Sequence, residues 1–162
     1  LICSCSARTR RADSGANRWS GNELYQYANF FNSIMTNMWP SILAIFCGAG
    51  LGALLRAGFN FATVSIVSAL PLGTVISNLV GGYFVGIAVA FFGNNPSLSP
   101  EWKLFVITGF LGGLTTFSSF SAEVVGLMQR GEVTWALGTA LLNLFGSLAL
   151  TFLGILTYQA LK

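Results

Sequence analysis

Two sets of uncharged polar residues recur at one-turn spacing inside otherwise apolar sequence. Thr74 and Asn78 lie four residues apart, and Thr139, Asn143 and Ser147 follow one another at four-residue intervals. On a helix each set shares one face, because side chains at i and i+4 stack along the axis. Hydroxyls and carboxamides donate hydrogen bonds without a permanent charge, so they suit the replacement of part of an anion's hydration shell. The same groups can simply glue helices together. For any one Thr or Ser gluing is the simpler account, whereas two aligned stripes together favour a polar pathway.

A second chemistry is carried by the segment from Thr108 to Glu123, which reads TGFLGGLTTFSSFSAE. Gly112 and Gly113, followed by Leu114, Thr115 and Thr116, are poor material for the middle of a helix, so an interruption is expected there. An interruption in apolar surroundings frees main-chain carbonyls and amides that must find partners. Carbonyl oxygens suit a small hard cation such as sodium, and half-helix ends add partial charges of fixed sign. A local kink healed by nearby hydroxyls is an equal alternative. Just beyond, Phe117 and Phe120 share a face, as do Thr116, Ser119 or Phe120, and Glu123. Taken alone, the Phe pair reads as ordinary packing, yet a phenyl ring has a positive edge that can meet a small anion.

The elements that must position these groups are apolar and long. Of 162 residues, 54% are hydrophobic and only 8% charged, against about a quarter charged in a typical soluble domain. Nineteen glycines and fourteen phenylalanines suit helices that pack closely in lipid. Crossing a hydrocarbon core of about 30 Å takes roughly twenty residues. Four runs reach that length: about Trp39 to Phe61, Leu72 to Phe92 after Pro71, Glu101 to Met128, and Val133 to Tyr158. Trp39 and Pro40 fall at interfacial and first-turn positions of the first run. Ala44, Gly48 and Gly52 form a small-residue stripe on it, and Ser77 with Gly81, and Gly82 with Gly86, repeat the spacing on the second. Gly93-Asn94-Asn95-Pro96-Ser97 marks a loop. Residues 39–162 therefore read as a four-helix transmembrane domain. Residues 1–38 are polar and basic and read as an extension, disordered or artefactual, with the natural start at Met35 or Met38.

Charge and composition exclude several functions. The formal charge of +3 is concentrated in Arg8, Arg10, Arg11 and Arg18, so the remainder offers no nucleic-acid surface. Cys3, Cys5 and Cys47 have no metal or disulfide spacing, and the chain contains no histidine. With acids only at Glu101, Glu123 and Glu132 beyond the tail, no nucleophile and base pair is evident, which argues against an enzyme. A small dual-topology multidrug exporter is the main alternative. It needs a titratable carboxylate deep in a span, and only Glu123 could serve, toward a helix end. A purely structural subunit leaves the aligned stripes unexplained. Within the four-run region, Lys103 and Lys162 fall on one side and Arg56 and Arg130 on the other. That tie gives insertion no strong direction and permits an antiparallel homodimer.

The string from Gly109 to Ser121 with Glu123 closely resembles the signature of the CrcB/Fluc fluoride channels. So do Gly48-Ala49-Gly50-Leu51-Gly52-Ala53 with Arg56, and Gly73-Thr74 with Asn78 and Gly81-Gly82. The resemblance covers about Trp39 to Lys162, and the earlier tail has no counterpart. It implies an all-α membrane protein: four transmembrane helices per protomer with a broken third helix, in an antiparallel dual-topology homodimer in the bacterial inner membrane. It implies two fluoride pathways and a structural sodium ion at the dimer centre, held by the main-chain carbonyls of Gly112 and Thr115 from both subunits. Phe117 and Phe120 would turn ring edges toward fluoride, with Asn78, Thr74, Ser147, Asn143 and Thr116 along the pathway and Thr139 on the same track. Arg56 would lie near the pore entrance. Glu123 is open between a snorkelled or capping acid and a fluoride contact.

Overall fold

The computed structural model describes residues 21–63 and 72–162. The chain divides into two units, Leu1–Thr36 and Asn37–Lys162, and the apolar spans all lie in the second. Most of the tail, and Pro71 ahead of the second run, lie outside the described residues.

The described residues are all-helical, and four stretches have the length and hydropathy to cross a membrane: Met38–Thr63, Leu72–Asn94, Pro100–Gln129 and Val133–Ala160. Each agrees with a run expected from the sequence to within a few residues. Helix α1 is Gly21–Thr63 and α2 is Leu72–Asn94. The third stretch contains α3 (residues 100–114) and α4 (Phe117–Gln129), and the fourth is α5 (Val133–Ala160). Helix α1 begins upstream of Pro40, so this proline lies inside a helix rather than in a first turn. Its missing N–H forfeits one hydrogen bond without ending the helix.

Few of the described side chains are shielded. Phe46, Leu54, Phe61, Leu137, Leu148 and Phe152 are each exposed, which suits apolar side chains on the outer faces of a membrane-spanning bundle. The interior is instead built from small residues that let backbones meet. A Cβ added at Gly86 would lie 2.9 Å from the Thr151 carbonyl carbon and 3.0 Å from Ile155 N, and one at Gly154 would lie 3.1 Å from Ile87 N. These obstacles are backbone and cannot swing aside, so α2 and α5 approach as closely as glycine allows. Gly48, Gly52 and Gly113 do the same between α1 and α3, where a Cβ on Gly113 would stand 2.9 Å from the Ala49 Cα. We expect Gly86→Leu to destabilise the detergent-solubilised protein by about 1–3 kcal/mol through overpacking. Gly93→Ala, with nothing within 4 Å of the new methyl, serves as control. Equal melting temperatures for both variants would refute the close α2–α5 contact.

Two segments wind more widely than an α-helix: Leu104–Leu111 in α3 and Leu142–Gly146 in α5 are π-helical. Such bulges shift the register of the next helical turns and concentrate at functional sites. The second holds Asn143.

Candidate functional site

Helix α3 stops at Leu114, and α4 starts at Phe117. Between them Thr115 (φ −80°, ψ 155°) and Thr116 (φ −154°, ψ 123°) are extended. The interruption was expected over Gly112-Gly113-Leu114-Thr115-Thr116, and the extended residues are its two threonines, while Gly112 is helical (φ −65°, ψ −34°). Local hydrogen bonds finish the helix on either side of the extended pair. The Thr115 hydroxyl and amide both donate to the Leu111 carbonyl, at 2.9 and 3.0 Å. The Thr116 hydroxyl accepts from Ser119 N at 3.2 Å and caps α4.

Asn78 holds this extended pair. Its Oδ1 accepts from Thr116 N at 2.7 Å, and its Nδ2 donates to the Thr116 carbonyl at 3.1 Å, so the carboxamide pairs with both main-chain groups of one residue as a neighbouring strand would. The same Nδ2 donates to Asn143 Oδ1 at 2.8 Å, and Asn143 Nδ2 donates to the Thr139 carbonyl at 2.9 Å. One buried chain of amides thus ties α2, the extended pair and the π-helical segment of α5 together. Both amide protons of Asn78 are engaged inside the protein.

Beside this chain lies a cleft of about 290 Å³, lined by Asn78, Thr115, Thr116, Phe117, Phe120, Asn143, Ser147 and Thr151 among others. Phe117 and Phe120 meet edge to face, with ring centroids 4.8 Å apart and planes at 86°. The hydroxyl of Ser147 is buried and has no hydrogen-bond partner among the described residues. A buried hydroxyl left unpaired is costly, so it marks a place where a guest acceptor would be welcome. Thr116 Oγ1 lies 3.2 Å from both Ser118 Oγ and Ser119 Oγ, adding hydroxyls at the start of α4. Helix ends set the electrostatics: the C-terminus of α3 is partially negative and the N-terminus of α4 partially positive.

Six of the eight residues expected along the pathway line the cleft, and Thr74 and Arg56 do not; Thr139 is also absent from it, and of the two residues expected at a cation site Thr115 lines it and Gly112 does not. Thr74 is fully buried and donates to Glu123 Oε1 at 2.6 Å, turning that acid inward against α2, while Glu123 Oε2 is buried without a partner among the described residues. Arg56 Nε donates to the Gly113 carbonyl at 3.2 Å. Thr139 is buried with its carbonyl under Asn143. Sequence reasoning missed Thr151, whose hydroxyl donates to the carbonyls of Gly82 and Ser147 at 3.0 and 2.8 Å. The signal was present, since Thr151 is the next i+4 position after Ser147.

These features define a multi-pass membrane protein with an uncharged, hydroxyl- and amide-lined cleft beside the extended pair between α3 and α4. Residues 43–155 match the family described as CrcB-like protein, Camphor Resistance (CrcB), and the chain belongs to this family. Among its relatives are proteins named fluoride-specific ion channel FluC. That of Polynucleobacter asymbioticus is 78% identical over 125 residues, covering 77% of this chain and the whole of the relative. That of Pseudomonas aeruginosa strain UCBPP-PA14 is 54% identical over 118 residues (73% and 93%), and that of Nitrosomonas europaea 52% identical over 125 residues (77% and 98%).

Proposed function

We propose that the chain is a fluoride channel of the bacterial cell membrane, passing the anion down its electrochemical gradient without catalysing a reaction. The carrying observation is the cleft, in which Ser147, Thr115, Thr116 and the Phe117 and Phe120 rings surround one space without a fixed cation, and beside which the Ser147 hydroxyl is buried without a partner among the described residues. Fluoride is small and strongly hydrated, so a conducting route should offer many short donors and few permanent charges, because a buried Lys or Arg would trap the ion. The names of the three relatives support the same substrate, and none of the three is named as an exporter of drugs. In this role Asn78 and Asn143 fix the walls, Ser147 and Thr116 present hydroxyls, and Phe117 and Phe120 turn ring edges inward. Thr74 braces the wall through Glu123, and Arg56 acts from outside the cleft.

The assembly in this reading is an antiparallel, dual-topology homodimer. Phe117 is 75% exposed and the cleft is open on one side, so a single protomer gives only part of an enclosed route. Gly112 supports a close neighbour: it is exposed, its dihedrals suit any residue, and a Cβ there would meet nothing nearer than 3.5 Å. Nothing within the protomer requires glycine at this position, whereas a second backbone approaching it would. In this reading the third membrane helix is a broken helix whose break crosses its counterpart at the two-fold axis.

A sodium ion at that axis fits the donors present. Among the described residues no cluster of three His, Cys, Asp or Glu side chains could hold a metal, so a cation would depend on main-chain oxygen. The carbonyls of Gly112 and Thr115 accept no hydrogen bond among the described residues and lie at the partially negative end of α3. Bound sodium would neutralise these oxygens and pin the two protomers together, a structural rather than a conducting part.

Purified protein in liposomes loaded with fluoride is expected to release it when a potassium ionophore relieves the charge imbalance, while chloride-loaded liposomes stay full. Retention of both anions, or equal escape of both, would overturn the proposal.

A further inference from the structure

The main chain where α3 meets α4 has more acceptors than partners, and one side chain from a distant helix selects among them. A helix C-terminus leaves its last carbonyls without intrahelical donors. Of those in α3, Leu111 is taken by Thr115, and Gly113 accepts from Arg56 Nε at 3.2 Å across 57 residues of sequence. Thr116, beyond the helix, is taken by Asn78. Gly112, Leu114 and Thr115 accept nothing among the described residues. Arg56 is outside the cleft, so its contact with the third membrane stretch is to the backbone and not to a passing ion.

We propose that Arg56 is a positioning residue for the main-chain cation site, an inference that rests on the sodium reading above. Gly112 and Gly113 have no side chains to limit rotation of the peptide planes at the end of α3. A guanidinium is planar and always charged, and its hydrogen bond to a carbonyl is stronger than a neutral one. Holding the Gly113 carbonyl in that bond removes it from the ligand set and fixes the adjacent plane, which carries the Gly112 oxygen. The Gly112 and Thr115 oxygens are then the ones turned to the ion. The positive charge of Arg56 opposes a nearby cation, so the effect lies in geometry, and charge and hydrogen bond can be separated by substitution.

The test is a sodium titration of the melting temperature of the purified full chain, with choline as the replacement cation. The wild-type protein is expected to gain stability with a saturable midpoint. Arg56→Ala is expected to raise that midpoint about tenfold, the loss of one charge-assisted hydrogen bond. Arg56→Gln, which keeps an N–H donor and discards the charge, is expected to hold the wild-type midpoint or lower it. Should Arg56→Ala fail to fold, Arg56→Met fills similar volume without a donor and gives the raised midpoint in its place. A wild-type or lower midpoint in the donor-free variant overturns the inference and leaves the sodium site standing. A wild-type protein indifferent to sodium overturns the site itself, and the role of Arg56 with it.

Discussion

Asn78→Asp is expected to abolish fluoride efflux from liposomes and to lower the stability of the protein. The carboxylate can still accept from Thr116 N, a bond of 2.7 Å in the native protein. It cannot donate, so the Thr116 carbonyl and Asn143 Oδ1 both lose their partner. Each buried acceptor left unpaired costs about 1–3 kcal/mol. A negative charge also appears on the wall of a route for an anion, where the low dielectric strengthens repulsion. Asn78→Ala removes all three bonds, for a cost of about 3–9 kcal/mol, comparable with the whole stability of an ordinary domain. Its expected result is loss of the folded protein, read as a shift in size-exclusion elution. Asn143→Ala breaks one link of the chain and should be milder in both measurements. Normal efflux through Asn78→Asp would mean that the amide chain between α2, the extended pair and α5 does not shape the route.

The second large effect concerns the rings. Phe117→Ile and Phe120→Ile keep apolar volume of similar kind but remove the positive ring edge. If each ring contributes roughly 1.4 kcal/mol to an ion in transit, each substitution slows efflux on the order of tenfold, and the double variant more. The edge-to-face pairing at 4.8 Å makes the two losses non-additive, because one ring orients the other. The size-exclusion profile should be unchanged in both single variants. Efflux at the wild-type rate in both would assign Phe117 and Phe120 to packing alone.

The positions of the four spans were legible because hydrophobic length is set by membrane thickness and is written continuously along the chain. The stripes were legible as shared helical faces; that Asn78 of α2 meets Asn143 and Ser147 of α5 at one cleft follows from no spacing within either helix. Thr74 has the spacing of that stripe but turns to Glu123, a residue 49 positions away, and no periodicity reports such a partner. The interruption was expected from propensity over Gly112 to Thr116, and within that stretch the glycines are helical while Thr115 and Thr116 are extended. Glycine permits a change of direction without requiring one. The requirement came from Asn78, 38 residues earlier, whose carboxamide supplies Thr116 with the pairing that a helix would otherwise give it.

The sequence by itself determined that this chain is a membrane protein of four helices, which residues could face a polar route, and to which family it is similar. These follow from composition, period and motif, all properties of neighbours along the chain. Only the tertiary structure decided which donors are spent and which are free. Asn78 is saturated by Thr116 and Asn143, Arg56 is committed to a carbonyl of α3, and the Ser147 hydroxyl is left unpaired among the described residues. A hydrogen bond is settled by distance and direction between groups far apart in sequence, so its presence is a property of the folded bundle and of nothing shorter.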